Sequence, residues 1–127
     1  MISNLKSLPV GLHAATYFAE KTVDKVWGTE YWLVNTAQYC AKILHLEPGM
    51  ACSLHWHREK IETFICLQGV VRLELPDTQV WLAPGEKYHI SCGMEHRFSS
   101  KDGAVILEVS TFHSDSDVVR IEESKRL

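Results

Sequence analysis

Apolar residues in this chain fall in short runs, most of them closed by a turn-forming or charged break. Runs at 31–35, 39–46, 51–57, 62–67, 70–75, 79–82, 87–90, 96–99 and 104–112 read as strands. The breaks include Pro48-Gly49, Arg58-Glu59-Lys60, Gln68-Gly69, Pro76-Asp77, Pro84-Gly85, the neighbourhood of Gly93, and Lys101-Asp102-Gly103. A succession of short strands with frequent Gly/Pro turns predicts an all-β sandwich or barrel. No helical period of comparable length lies between them, which argues against a parallel α/β sheet. The segment 12–20 suits a short helix, although Thr16, Tyr17 and Phe18 are poorer helix formers. It would serve equally as an arm packed on a neighbouring subunit. Residues 113–127 are polar and charged, with Val118, Val119 and Ile121 the only apolar positions before Leu127. That pattern predicts a solvated tail with one short docked piece. The expected organisation is one domain: an N-terminal arm at 1–30, a barrel at 31–112 and a polar tail at 113–127.

Composition adds exclusions. A chain of 127 residues fits a single domain. Its 46% hydrophobic and 23% charged residues are ordinary for a globular protein. A formal net charge of −3 without a basic stripe argues against a nucleic-acid surface. No stretch approaches the ~20 apolar residues of a membrane span. Residues 1–10 lack a basic start followed by an apolar run, so no signal peptide is expected. Cys40, Cys52, Cys66 and Cys92 form no Cys-x-x-Cys pair, which removes the usual zinc-ribbon reading. Reduced thiols in a cytoplasmic protein are the simplest account.

The chemistry concentrates in residues 48–69. His55 and His57 stand two apart, and residues i and i+2 of a strand share a face. Both imidazoles can therefore reach one ion. Glu62 opens the next run, where a tight connection returns it beside the histidines. His96, after Gly93, offers a third imidazole at the start of another strand. Three nitrogens and one carboxylate oxygen suit a first-row divalent ion, and these donors accept Zn, Mn, Fe, Co or Ni. A lone histidine in a strand is more often a hydrogen-bonded core group, which is the expectation for His13, His45 and His89. That account fits the four together poorly, because a carboxylate buried beside imidazoles is costly without a cation.

These spacings carry a resemblance. Gly49, five residues, His55, one residue, His57, four residues, Glu62, six residues and Gly69 resemble the first motif of the cupin superfamily. Gly85, five residues, Ser91, one residue, Gly93, two residues and His96 resemble the second. Two departures, Ser91 for the family's proline and Ser100 for its asparagine, touch turn chemistry and not the ligands. The resemblance covers roughly residues 39–110 and rests on two linked motifs. It implies a jelly-roll (double-stranded β-helix) barrel, a metal held by His55, His57, Glu62 and His96, and a homodimer. The run Trp27-Gly28-Thr29-Glu30-Tyr31-Trp32, with 108–113 and 117–120, is similar to the mannose-6-phosphate isomerase-like cupins. The tryptophans would line the mouth for a ligand, close a barrel end or cover an interface.

Strand parity names further candidates. Lys60 joins the face of Glu62, Phe64 and Cys66 if that strand begins early. It is then a cationic clamp for a substrate, or otherwise an exposed hairpin lysine. On the last strand either Glu108, Ser110 and Phe112 face inward, or Val105, Leu107, Val109 and Thr111 do. A central strand normally buries its aliphatic set. A buried Glu108 would be a proton acceptor with a raised pKa. On 39–46 either Cys40, Lys42, Leu44 and Leu46 or Tyr39, Ala41, Ile43 and His45 point inward. The barrel architecture hosts several functions. The leading expectation is aldose–ketose isomerisation of a sugar or sugar phosphate, with Lys60 and Glu108 as candidate bases and the metal polarising the carbonyl. The alternatives are a metal-dependent dioxygenase and a non-catalytic saccharide-binding or sensor module.

Overall fold

The computed structural model describes residues 10–127. Residues 1–9, part of the expected arm, lie outside the described residues. A short helix, α1 (Val10–Tyr17), leads into the strands β1 (Lys21–Lys25), β2 (Gly28–Asn35), β3 (Cys40–Leu46), β4 (Met50–Ala51), β5 (Leu54–His57), β6 (Glu62–Gly69) and β7 (Val71–Glu74). The strands β8 (Gln79–Leu82), β9 (Lys87–Ile90), β10 (Arg97–Ser100), β11 (Ala104–Ser110), β12 (Val118–Glu122) and β13 (Lys125–Arg126) complete the chain. They form a six-stranded sheet in the order β1-β2-β3-β11-β6-β9 and a five-stranded sheet in the order β13-β4-β10-β7-β8, with β12 and β5 as a separate pair. All the pairings are antiparallel. The fold is all-β, a jelly-roll barrel. No helix among the described residues is long and apolar enough to cross a membrane.

The sheets enclose one core of Leu44, Leu46, Phe64, Cys66, Val71, Leu73, Ile90, Phe98, Ile106 and neighbours. This settles the parity questions. On β3 the face with Cys40, Lys42, Leu44 and Leu46 points inward, and on β11 the inward face carries Ile106, Glu108 and Ser110. The rule that a central strand buries its aliphatic set predicts the opposite for β11. It fails because the large sheet is covered on both faces. Val105 and Ile43 pack outside with Tyr31, and Leu107 and Leu12 of the helix pack against them. Each inward column is apolar at one end of the barrel and polar at the other.

Two terminal segments differ from the expected arm and tail. Residues 21–30 supply β1 and the start of β2, paired from Lys21↔Trp32 to Lys25↔Gly28. The C-terminal residues dock over much of their length: β12 pairs with β5 through Val118↔His57 and Arg120↔His55, and β13 pairs with β4. The segment 118–122 is short, mixes three apolar with two charged residues and buries none of them fully, so its pairing is carried by backbone hydrogen bonds that a hydropathy pattern does not register. Buried Arg97 ties the segment down, donating to Cys52 O at 2.7 Å, Glu122 Oε1 at 2.9 Å and Glu123 O at 2.8 Å.

The Trp27-Gly28 pair has a backbone reason. Gly28 has φ +152° and lies so close to β3 that a Cβ would stand 1.9 Å from His45 O. Gly49 also has a positive φ, +74°, but a Cβ there meets nothing within 4 Å. Gly28→Ala is therefore expected to destabilise the fold by about 2 kcal/mol or more, from strain plus a backbone clash. Gly49→Ala is expected to cost only the left-handed backbone penalty, about 1 kcal/mol. Urea unfolding of the two variants checks the order, and equal losses would contradict it.

Candidate functional site

The first half of the site is built by local backbone pairing. His55 N donates to His96 O at 3.2 Å, and His96 N donates to His55 O at 2.9 Å. This bridge fixes β5 against the start of β10. The turn before His96 closes with Met94 N donating to Ser91 O at 3.2 Å, and Gly93 N donates to His57 O at 2.7 Å. The three imidazoles converge: ring centroids stand 5.1 Å apart for His55–His57, 4.5 Å for His55–His96 and 5.8 Å for His57–His96. One ligand atom from each lies within 4.8 Å of the others, so the three could hold a metal ion. Glu62 enters from β6, its Oε2 3.3 Å from His57 Nε2 and 3.1 Å from His96 Nε2.

The ring orientations say which nitrogens are free. His55 Nδ1 lies 2.9 Å from Ser53 O, and His96 Nδ1 lies 2.9 Å from Met94 O. Carbonyl oxygens only accept, so both Nδ1 atoms carry the proton and both Nε2 atoms present a lone pair. His96 Nε2 and Glu62 Oε2 are buried without a hydrogen-bond partner. Two acceptors 3.1 Å apart repel unless a cation, or a second proton on the imidazole, lies between them. The donor set therefore fits a divalent ion, with backbone carbonyls behind two of the ligands as is usual for metal-bound histidine. Burial opposes ionisation of Glu62, but His57, His96 and Lys60 hold its carboxyl well below the usual range.

The second half is an ion network. Lys60 precedes β6, and its ammonium is buried, not exposed as on a free hairpin. Nζ lies 2.5 Å from Glu108 Oε2, 3.5 Å from Glu62 Oε1 and 3.0 Å from His113 Nδ1. Burial alone would lower the Lys60 pKa, yet Glu108 and Glu62 overturn this and raise it above its ordinary value. His113 Nε2 donates to Asp115 Oδ1 at 2.8 Å, which leaves Nδ1 as an acceptor for Lys60. The Asn35 side chain clamps the His113 backbone through bonds of 3.1 and 3.0 Å. Asp117 accepts from Glu59 N at 2.9 Å and Lys60 N at 3.1 Å, and its Oδ2 stands 3.7 Å from His57 Nδ1.

These groups line a polar cavity of about 330 Å³, with Glu30, Lys42, His55, His57, Lys60 and Glu108 in its wall. Of the aromatic run, Trp27 is buried and edge-on to Phe98 at 5.0 Å. Trp32 lies under the Lys42 ammonium at 4.0 Å and donates Nε1–H to Glu30 Oε1 at 2.9 Å. His55, His57, Glu62 and His96, with Lys60 and Glu108, are thus brought together. His113, Asp117, Glu30 and Lys42 are the residues that pattern reasoning left without a role at the site. Lys42 carried a signal, a charge within an otherwise apolar strand face, whereas His113 and Asp117 lie outside any strand period. Of the other histidines expected as core groups, two are not in the core. His13 is exposed, His89 is exposed and bonded to Thr63 Oγ1 at 2.8 Å, and only His45 is buried, 3.4 Å from Glu47 Oε2.

The histidines make stability depend on acid. Burial, reinforced by His96, pushes the His55 imidazole down to about 3, and burial also lowers His45 and His113. All three bind protons less readily in the fold than in the unfolded chain. Their contribution is present above the ordinary histidine pKa of about 6.5 and is lost as pH falls toward the folded values. Each contributes up to about 1.4 kcal/mol per pH unit in that window. Urea unfolding of metal-free protein is expected to show lower stability near about pH 5 than about pH 7. Equal stability at both would contradict the assignment.

Comparison with known proteins agrees with the geometry. The model of a family described as Cupin domain matches residues 42–110. A D-lyxose/D-mannose isomerase from Thermosediminibacter oceani is 36% identical over 124 residues, covering 74% of this chain and 68% of that protein. A mannose-1-phosphate guanylyltransferase from Sinorhizobium fredii is 24% identical over 110 residues, covering 83% of this chain. The match takes in only 21% of that relative's own length. Among solved structures, KdgF from Halomonas sp. superposes with a TM-score of 0.69 at 15% identity, covering 76% of this chain and 92% of that one, a likeness of fold alone. The motif spacings, the barrel and the family match together place this chain in the cupin domain family.

Proposed function

We propose that the chain is a metal-dependent sugar isomerase that interconverts an aldose and its ketose. The observation that carries this reading is a single ammonium, Lys60 Nζ, bridging Glu62 of the histidine cluster at 3.5 Å and Glu108 at 2.5 Å inside one polar cavity. The isomerase named among the relatives, 36% identical, supports the same reading. His55, His57, Glu62 and His96 would hold the ion. When bound, a divalent ion supplies Lewis-acid polarisation of a carbonyl.

The chain's own groups divide the remaining work. Lys60, raised in pKa and surrounded by acceptors, stays a cation. It is therefore a poor base and a good hydrogen-bond donor to substrate oxygen. The base is Glu108, which takes the proton from the hydroxyl-bearing carbon beside the carbonyl. The electron pair forms the enediol double bond, and the same proton returns to the former carbonyl carbon while the hydroxyl proton moves between the two oxygens. His113 Nδ1 accepts from Lys60 at 3.0 Å and so helps to hold the ammonium in place.

Metal-loaded protein is expected to interconvert at least one aldose–ketose pair in a panel of five- and six-carbon sugars, free and phosphorylated. Glu108→Gln is expected to lower kcat by roughly 10²-fold or more with metal content retained, whereas His96→Ala loses both metal and activity. No interconversion by the wild-type protein under any metal would contradict the reading.

A further inference from the structure

Lys42 is buried, with 1% of its side chain exposed, and lines the cavity from β3. Its partners are unlike those of Lys60. The nearest carboxylate oxygen, Glu30 Oε1, is 3.6 Å away, and the Trp32 ring centroid is 4.0 Å away. Neither is a hydrogen bond, because 3.6 Å exceeds the N–H···O range. An ammonium carries three N–H donors, and those of Lys42 meet no hydrogen-bond acceptor among the described residues. Burying a cation in this state is costly, and an aliphatic side chain at this position would pack without the cost. Lys42 stands in the wall of the cavity, where a ligand could supply the missing acceptors.

The surroundings limit what fills it. Glu30 Oε1 already accepts from Trp32 Nε1 at 2.9 Å and stands beside the ammonium as an acceptor. A donor and an acceptor about 3.6 Å apart bracket a single hydroxyl, which accepts from one and donates to the other. A carboxylate, or a phosphate monoester in its dianionic form, has no proton for Glu30, and either would bring two anions together. Trp32 is not available for stacking, since Lys21 Nζ lies 4.5 Å from its centroid and Lys42 Nζ 4.0 Å. Lys42 pairs across the sheet with Glu108, and Glu108 with Phe64 on β6. This places the Lys42 backbone two strands, roughly 10 Å, from the strand of Glu62.

We propose that Lys42, Glu30 and Trp32 form a hydroxyl-binding subsite that takes an uncharged polyol portion of the substrate, away from the histidine cluster. This rests on the sugar reading of the same cavity and adds that the group bound here is a hydroxyl rather than a phosphate. Lys42 and Glu30 bind, and Trp32 positions both.

The test uses five- and six-carbon alditols and their terminal monophosphates, which bind without turning over, measured by calorimetry on the metal-loaded protein. Wild type is expected to bind an alditol more tightly than its phosphate. Lys42→Met is expected to weaken alditol binding at least tenfold, the effect of losing a charge-assisted hydrogen bond, with metal content unchanged. Glu30→Gln keeps the shape, decides the matter if Lys42→Met does not fold, and is expected to weaken binding too. Alditol affinity within twofold of wild type in these variants would overturn the proposal. So would a preference for the phosphate that disappears in Lys42→Met, or no alditol binding by wild type. Alditol binding that depends on Lys42 in a protein that isomerises no sugar would sink the isomerase reading and leave the subsite standing.

Discussion

The arrangement turns on one contact that is unfavourable by itself: the Glu62 carboxylate oxygen held 3.1 Å from His96 Nε2 and 3.3 Å from His57 Nε2. With Nδ1 of His96 committed to Met94 O, its Nε2 offers only a lone pair. The rest of the barrel keeps this repulsive convergence in place. The mutual backbone bonds of His55 and His96 fix two of the imidazoles, the opening of β6 fixes Glu62, and the docked C-terminal strand backs His57. A cation at this point would meet the lone pairs of His55 and His96 and the Glu62 carboxylate, with His57 Nε2 beside them, which is the physical reason for reading the cluster as a metal centre.

The charge balance extends beyond the cluster. The three central strands β3, β6 and β11 of the large sheet give their inward faces to apolar packing at one end, through Leu44, Cys66 and Ile106, and to charge at the other, through Lys42, Glu62 and Glu108. The charged end is buried, so its groups must satisfy one another. Lys60 does so with Glu62, Glu108 and His113. Buried ion networks are weak evidence for stability and are commonly neutral against an apolar replacement. Their presence in a barrel that could be filled with leucine points to chemistry. The two buried lysines differ in this respect: Lys60 meets Glu108, Glu62 and His113, whereas Lys42 meets no hydrogen-bond acceptor among the described residues.

Much of this was legible in the sequence. The strand period and turn residues predict the barrel, and the His55-x-His57 spacing with Glu62 and His96 predicts which side chains meet, because parity and tight turns are local properties. What was not legible depended on tertiary cover. The inward direction of Glu108 could not be read from β11 alone, because Val105 and Leu107 find a second apolar layer against α1 and β2. The roles of His113 and Asp117 come from the docking of a charged C-terminal segment through backbone bonds and the Arg97 clamp. The Trp27–Trp32 run read as a ligand mouth, an end plug or an interface. It divides into a core tryptophan and one that supports Lys42.

The most direct test of the metal centre is a calorimetric titration of metal-free protein with zinc, manganese, iron(II), cobalt or nickel. The account predicts saturable binding of about one ion per chain for at least one of them, accompanied by release of protons as the ligands lose any they carry. Absence of saturable binding for every ion at neutral pH would contradict it.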